Sequence, residues 1–449
     1  MKKVITYGTY DLLHQGHINL LKRAKDLGDY LMVGVTSDSF DRERGKLNVR
    51  NNVLDRIESV RKTGLADKII IEEYVGQKID NIQRYGIDVF AIGSDWEGKF
   101  DYLKEFCEVT YLPRTEGVSS TMLRNESQVN YKVGIIGTGR IASRFVPETI
   151  FVQGVQVYAA FNPDLEEANQ FADIHGIPRS YNTFETFIKE VDAVYIASPH
   201  LTHYNYTKKC LQNGKHVLCE IPFVLSGGRA RELYDLAYKN GLVLMEASKT
   251  AFCPAFNHLV TLIKSGVIGD VVDIDSSLSK LTFDESLREL DIVQAGGSIT
   301  ELASLPLLSV VKILGKEYKD VQFYSRLKKG VDIYTKGVIV YDNAVATIKL
   351  GLGVKTEGNL VVSGTKGYAY VPAPWWKTDY FELRFEDQNK NKKYFYSYEG
   401  EGLRYELQEF ISCISNHRPS SFKLGRRESA VIADIIESYR KGNRITLIQ

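Results

Sequence analysis

Apolar positions in the first 124 residues alternate between two patterns. Short β-branched and aromatic runs (VITYG, YLMVGVTSD, KIIIEEY, VFAIGSD, VTYLP) are separated by stretches with helical spacing (INLLKRAKDLG, VRNNVLDRIESVRKTG, DNIQRYG). This alternation predicts a parallel sheet covered by helices. The short polar stretch NESQVN, near 125–130, reads as a linker. A second strand–helix series starts at Tyr131, with YKVGIIG, VQVYAAFN, AVYIASP, KHVLCE and LVLMEAS as its strands. From about residue 270 the runs are longer and alternating, without regular helices between them: VVDIDSSLSKL, VQFYSRL, GVIVYDNAVATIKLGL, NLVVSG and YFYSYEG. They predict an antiparallel sheet. LRYELQEFISCISN and ESAVIADIIESYRK return to amphipathic helix. The expected division is 1–126, 131–252 and 253–449, all of α/β or α+β character.

Composition narrows the function classes. The formal net charge of +1 gives no global field to attract nucleic acid or an anionic membrane. No apolar run reaches the roughly 18 residues of a membrane helix. MKKVITYGTYD lacks a signal-peptide apolar core, and the expected location is the cytoplasm. Five scattered cysteines with no CxxC pair argue for reduced thiols and against a zinc site. No metal-ligand set is assigned.

Two stretches carry candidate phosphate chemistry. In YGTYDLLHQGH, Gly8 ends a strand and a helix begins near His17. His14 and His17 therefore fall at a helix N-terminus, where free N–H groups and the macrodipole favour anions. Gly16 removes a side chain where a phosphate would approach. Such donors stabilise a phosphoryl-transfer transition state without acting as nucleophiles. TSD at 36–38, GSDWEG at 93–98 and LPRTEGVSST at 112–121 are polar loops at other strand ends, the edge where such folds bind ligands. The second stretch, VGIIGTGRIA, has the strand–GxGxxA–helix form. Gly137 permits the tight turn, Gly139 the approach of a pyrophosphate, and Ala142 helix–strand packing. Asn162 stands at the end of the next strand, where it can bond a ribose hydroxyl without choosing between NAD and NADP.

On YGTYDLLHQGH, GDYLMVGVTSD, SDWEGKFDYL and YLPRTEGVSST, residues 1–124 resemble the glycerol-3-phosphate cytidylyltransferases of the HxGH nucleotidyltransferase superfamily. The resemblance implies a Rossmann-like nucleotidyltransferase domain. It implies that CTP and a polyol phosphate give a CDP-polyol and diphosphate, with Mg²⁺ on the triphosphate. His14, His17, Lys46 and Arg114 would carry the chemistry. Gly8, Thr9, Tyr10, Asp11, Gly16, Asp38, Arg56, Asp95, Trp96, Thr115, Ser119 and Thr121 would bind nucleotide or acceptor. Among these, Arg56 would contact phosphate and Asp38 the acceptor polyol.

On GIIGTGRIA, VDAVYIASPHLTHYNYTKKCLQNGKHVLCEIP and GGSITELASLPLLSVVKILG, residues 131–449 resemble the Gfo/Idh/MocA oxidoreductases. That family pairs a Rossmann dinucleotide-binding domain with an α+β open antiparallel-sheet domain. The resemblance implies NAD(P) held by Gly137, Gly139, Arg140, Ile141, Ala142, Asn162, Ser198, Pro199, His203 and Glu220. Two positions depart from the pattern. Ile221 replaces the lysine of the family's EKP, and Leu305 the His or Tyr that transfers a proton, while Glu301 keeps an acid. Acid–base work on a carbonyl needs an ionisable group within reach. Lys249 and Lys280 are possible substitutes. The expectation is a cytidylyltransferase fused to a chemically degraded module that scaffolds it or mediates homo-oligomerisation. The alternative is a bifunctional enzyme whose second half reduces a sugar or keto phosphate with NAD(P)H to make the polyol phosphate. A nucleotide sensor without turnover is disfavoured by the intact HQGH–Lys46–RTEG set.

Overall fold

The computed structural model describes residues 1–43, 49, 51–74, 76–113, 131–281, 284 and 287–449. The chain divides into two compact units, Met1–Asn130 and Tyr131–Gln449.

The first unit is built on β1 (Lys3–Gly8), β2 (Tyr30–Thr36), β3 (Lys68–Glu72), β4 (Val89–Gly93) and β5 (Glu108–Leu112). They lie in the order β3-β2-β1-β4-β5 and every pairing is parallel. Successive side chains of a strand point to opposite faces. Val4 and Val33 accordingly pack beneath one layer of helices with Leu21 and Val60, while Ile5 and Met32 pack with Ile82 and Phe90 on the other face. Chain order reverses between β1 and β4, which opens a crevice at their carboxyl ends. Asp38, read from sequence as a loop residue, begins a short helix, Asp38–Glu43.

In the second unit, β6 (Tyr131–Ile136), β7 (Val155–Phe161), β8 (Arg179–Tyr181), β9 (Ala193–Ile196), β10 (His216–Glu220) and β11 (Leu244–Ala247) form a parallel sheet ordered β11-β10-β9-β6-β7-β8. A nine-stranded sheet follows. It is mixed rather than wholly antiparallel: Val271–Ser279 runs parallel to Val345–Gly351, and Asp320–Lys328 parallel to Ile445–Leu447. Parallel pairing needs a long crossover. Part of the first one is supplied by helices Ser298–Leu302 and Ser304–Leu314, which the sequence reading did not anticipate.

Two late helices cover the parallel sheet. Glu148, buried on helix Arg140–Thr149, accepts from Arg404 Nε at 2.8 Å and Nη2 at 3.0 Å, and from the backbone N–H groups of Glu401 and Arg404. Arg231 donates to both oxygens of Asp434, at 2.8 and 3.0 Å. A Cβ on Gly227 would lie 1.8 Å from the Asp434 carboxylate, so only glycine allows this approach. One apolar core draws on both sheets, from Val133 and Leu218 to Ile348 and Leu383. Among the described residues no single helix is long and apolar enough to cross a membrane.

Candidate functional sites

The first candidate site lies at the β1–β4 crevice. The loop leaving β1 holds Tyr10 and Leu12 in the left-handed region, with φ of 53° and 46°. Such backbone persists in a non-glycine residue only where its surroundings impose it. Here Tyr10 is buried, and Asp11 Oδ1 accepts from Asn51 N at 3.0 Å. The loop delivers His14 to the N-cap of helix Gln15–Lys25, where its Nδ1 accepts from Gly16 N at 3.1 Å. That bond occupies the Nδ1 lone pair and leaves the ring proton on Nε2. His17 stacks on His14 with ring centroids 3.9 Å apart, and Tyr10 meets the edge of His17. The first turn holds no acidic side chain, so nothing there offsets its affinity for an anion.

Arg56 binds this loop to its neighbours. Fully buried, it donates to Asn51 O at 3.0 Å, Thr9 O at 2.7 Å, Asp41 at 3.1 Å and Asp38 at 2.5 Å. Thr9 Oγ1 donates to the other oxygen of Asp41. The expected phosphate contact of Arg56 and acceptor contact of Asp38 thus meet a different arrangement. The two are each other's partners, and Asp38 Oδ2 also accepts from Val53 N. Asp95 and Trp96 follow β4, the strand beside β1, on the short helix Ser94–Trp96. Asp95 is exposed, and Lys99 lies over the indole. Lys46, Arg114, Thr115, Ser119 and Thr121 lie outside the described residues. Among the described residues, no group of three His, Cys, Asp or Glu could hold a metal ion.

The second candidate site is a cleft of about 560 Å³ at the carboxyl edge of β6, β7, β9 and β10. Gly137, Gly139, Arg140, Ile141, Asn162, Ser198, Pro199, His203 and Glu220 all line it. Ala142, on helix Arg140–Thr149, faces the core rather than the cleft. Gly137 has φ of +96°, and a Cβ there would stand 2.6 Å from Ala197 O. At Gly139 a Cβ would meet nothing within 4 Å. The first glycine is required by the fold. The second leaves open the space above a helix N-terminus, and this fits a dinucleotide pyrophosphate.

Asn162 does not present a free amide. Its Nδ2 donates to Thr138 Oγ1 and Glu167 Oε2, each at 2.7 Å, and its Oδ1 accepts from Asp164 N. Glu167 lines the cleft as well, and sequence reasoning missed it. Its place in the first turn of the helix after β7 was the available signal. His200, Arg288 and Glu289 also line the cleft. Arg288 sits in no motif, and nothing in the sequence pointed to it.

The groups around Ile221 are heavily buried. Burial raises Glu220 to about 7, although it accepts from Tyr195 OH at 2.5 Å and from Ile221 N. Burial also raises Glu406, and neither of its oxygens has a hydrogen-bond partner among the described residues. Burial lowers Lys249, whose Nζ donates to Glu401 O at 2.8 Å. Lys280 pairs with Glu289 at 2.7 Å. Both nitrogens of His203 face carbonyls, Pro222 O at 2.9 Å and Ser198 O at 2.7 Å. Burial and then nearby His200 hold its pKa at about 4, so the ring is neutral and only one contact carries a proton.

Residues 5–126 match the cytidylyltransferase-like family, and residues 131–248 match Gfo/Idh/MocA, an oxidoreductase family with an NAD-binding Rossmann fold. The chain is 50% identical over 131 residues to the glycerol-3-phosphate cytidylyltransferase of Bacillus spizizenii, covering 28% of this chain and 97% of that protein. It is 30% identical over 332 residues to the trans-1,2-dihydrobenzene-1,2-diol dehydrogenase of Oryctolagus cuniculus, covering 70% of this chain and 99% of that protein. A 3-ketoreductase from Actinomadura kijaniata, solved with NADP and TDP-benzene, superposes with a TM-score of 0.64 over 71% of this chain and all of its own, at 19% identity. At that identity the likeness is one of fold.

Proposed function

Because the chain belongs to the cytidylyltransferase-like family in its first unit and to the Gfo/Idh/MocA oxidoreductases from residue 131 onward, we propose that it makes a CDP-polyol from CTP and a polyol phosphate beside a dinucleotide-binding module. CDP-glycerol is the product favoured by the relatives. The carrying observation is the pair of stacked imidazoles at an uncompensated helix start in the crevice between β1 and β4. A phosphate oxygen of the acceptor attacks the α-phosphorus in line. A new P–O bond forms, the bond to the β-phosphate oxygen breaks, and diphosphate leaves. Backbone N–H groups and the two imidazoles take up the charge that develops on the phosphoryl oxygens. Mg²⁺ carried on the triphosphate would neutralise part of its charge.

In the second unit, the open space at Gly139 supports NAD(P) binding, and the bound dinucleotide would supply or accept a hydride. Glu167 favours NAD(H), because a carboxylate there repels a 2′-phosphate. Ile221 and Leu305 remove the family's two proton-transfer groups, so chemistry by that route is lost. A second reading, a bifunctional enzyme acting on a sugar or keto phosphate, is favoured by the Arg288–Glu301–His200 cluster in the cleft. Incubation with CTP, Mg²⁺ and a panel of polyol phosphates tests the transferase. Failure to release diphosphate with every acceptor refutes it.

A further inference from the structure

We infer that His200 is the proton-exchanging group of the second cleft, held in place by Glu301 and Arg288. This rests on the second reading above. Three separate segments supply the cluster: the short helix His200–Thr202 after β9, helix Ser298–Leu302, and the short helix Arg288–Leu290. Arg288 donates to both oxygens of Glu301, at 2.9 and 3.1 Å, which fixes the carboxylate plane. Glu301 Oε1 also meets His200 Nε2 at 2.9 Å. Burial alone would raise the Glu301 carboxyl, but His200 and Arg288 outweigh it and hold it low.

An ionised Glu301 requires a proton on His200 Nε2, which leaves Nδ1 of the neutral ring as an acceptor. That atom is enclosed and has no hydrogen-bond partner among the described residues, and its side chain is only 9% exposed. Buried polar atoms are nearly always paired, so an unpartnered nitrogen on a side chain that lines a ligand-sized cleft marks a place for a ligand hydroxyl. His203 cannot take this role, because carbonyls occupy both its nitrogens. A carboxylate on one nitrogen and an open second nitrogen is the arrangement that makes imidazole a general base.

The substrate class is a secondary alcohol of a polyhydroxylated chain, or the matching ketone. In oxidation the hydroxyl proton passes to Nδ1, the hydride on the same carbon passes to bound NAD⁺, and the C–O bond becomes a carbonyl. Reduction runs the same steps backwards. Glu301 stabilises the imidazolium, with neutral His203 edge-on to the ring at 5.6 Å and Arg288, Glu289 and Glu220 also lining the cleft.

The test uses the full chain. Calorimetry first measures NADH binding; hydride transfer is then followed with polyols, polyol phosphates and their keto forms. NMR of ¹³C-labelled histidine rings, with the His200 signal assigned by its loss in His200→Gln, gives a readout independent of turnover. His200→Gln should lower kcat about 100-fold or more while the NADH Kd moves by less than about threefold. Glu301→Gln should move the His200 ring signals, because the carboxylate that meets Nε2 is gone, and should lower kcat with His200 still present. Diphosphate release from CTP, unchanged in both variants, reports an intact chain. Hydride transfer indifferent to His200→Gln, ring signals unmoved by Glu301→Gln, or NADH binding without transfer across the panel each overturns the inference while leaving the dinucleotide site standing. Absence of NADH binding overturns both.

Discussion

At the start of helix Gln15–Lys25 the two imidazoles are held differently. His14 is fixed through its Nδ1, whereas His17 is placed by stacking and by the edge of Tyr10. His17→Ala should therefore spare the loop. It should lower transferase turnover about 100-fold, as loss of a preorganised transition-state donor does, with a smaller change in CTP affinity. Steady-state kinetics with CTP titration separates the two. Arg56 is the opposite case, a buried cation that faces Asp38 and Asp41. Arg56→Met leaves the buried Asp41 carboxylate without its guanidinium, and should cost about 3–5 kcal/mol of first-unit stability in denaturant melts. The sequence displayed both Arg56 and Asp38 as polar residues near a ligand edge. Their mutual pairing depends on how helix Val53–Lys62 returns over the loop, which spacing alone does not reveal. In the second unit, burial raises Glu246 from 4.5 to about 7, against weaker opposing bonds from Ser429 and the Phe223 backbone. The folded chain holds this proton across that window and the unfolded chain does not, so stability is lost as pH rises through it. Glu246→Gln should match the wild-type melting temperature below pH 4.5 and gain on it up to 7, as read by thermal melts across pH.

Among the elements, the glycines around Arg140–Thr149 divide two roles that a motif presents as one. Gly137→Ala forces a Cβ into Ala197 O at a positive φ, and should lower both stability and NADH binding. Gly139→Ala enters open space, and should leave the melting temperature unchanged while lowering NADH affinity at least about tenfold. Paired thermal melts and calorimetry check both. These elements were legible because strand, turn and helix each leave a local signal. Helix Ser304–Leu314 was not. All of its first eight residues are buried, so its apolar run has no exposed face to set a period. The same blindness hid the cluster in the cleft, since His200, Arg288 and Glu301 come from three segments whose approach only the fold specifies.

For the whole molecule, the first unit corresponds to a complete protein elsewhere: the Bacillus spizizenii relative is covered over 97% of its length. Residues 1–130 alone should therefore retain cytidylyltransferase turnover within about tenfold of the full chain. A folded but inactive fragment, judged by circular dichroism and diphosphate release, would place part of the machinery downstream. The second unit is tied together across its length. Helices Leu403–Ser415 and Arg426–Arg440 reach back to Glu148 and Arg231, so strands made early are roofed by helices made late. Synthesis runs in one direction, and this ordering has a price on the ribosome. The first unit is free to close as it emerges. The dinucleotide sheet must wait with its apolar underside bare until those later helices are made, the interval in which chaperones hold incomplete chains. A premature stop in the final helix would therefore undo a sheet laid down long before it and spare the catalyst at the other end.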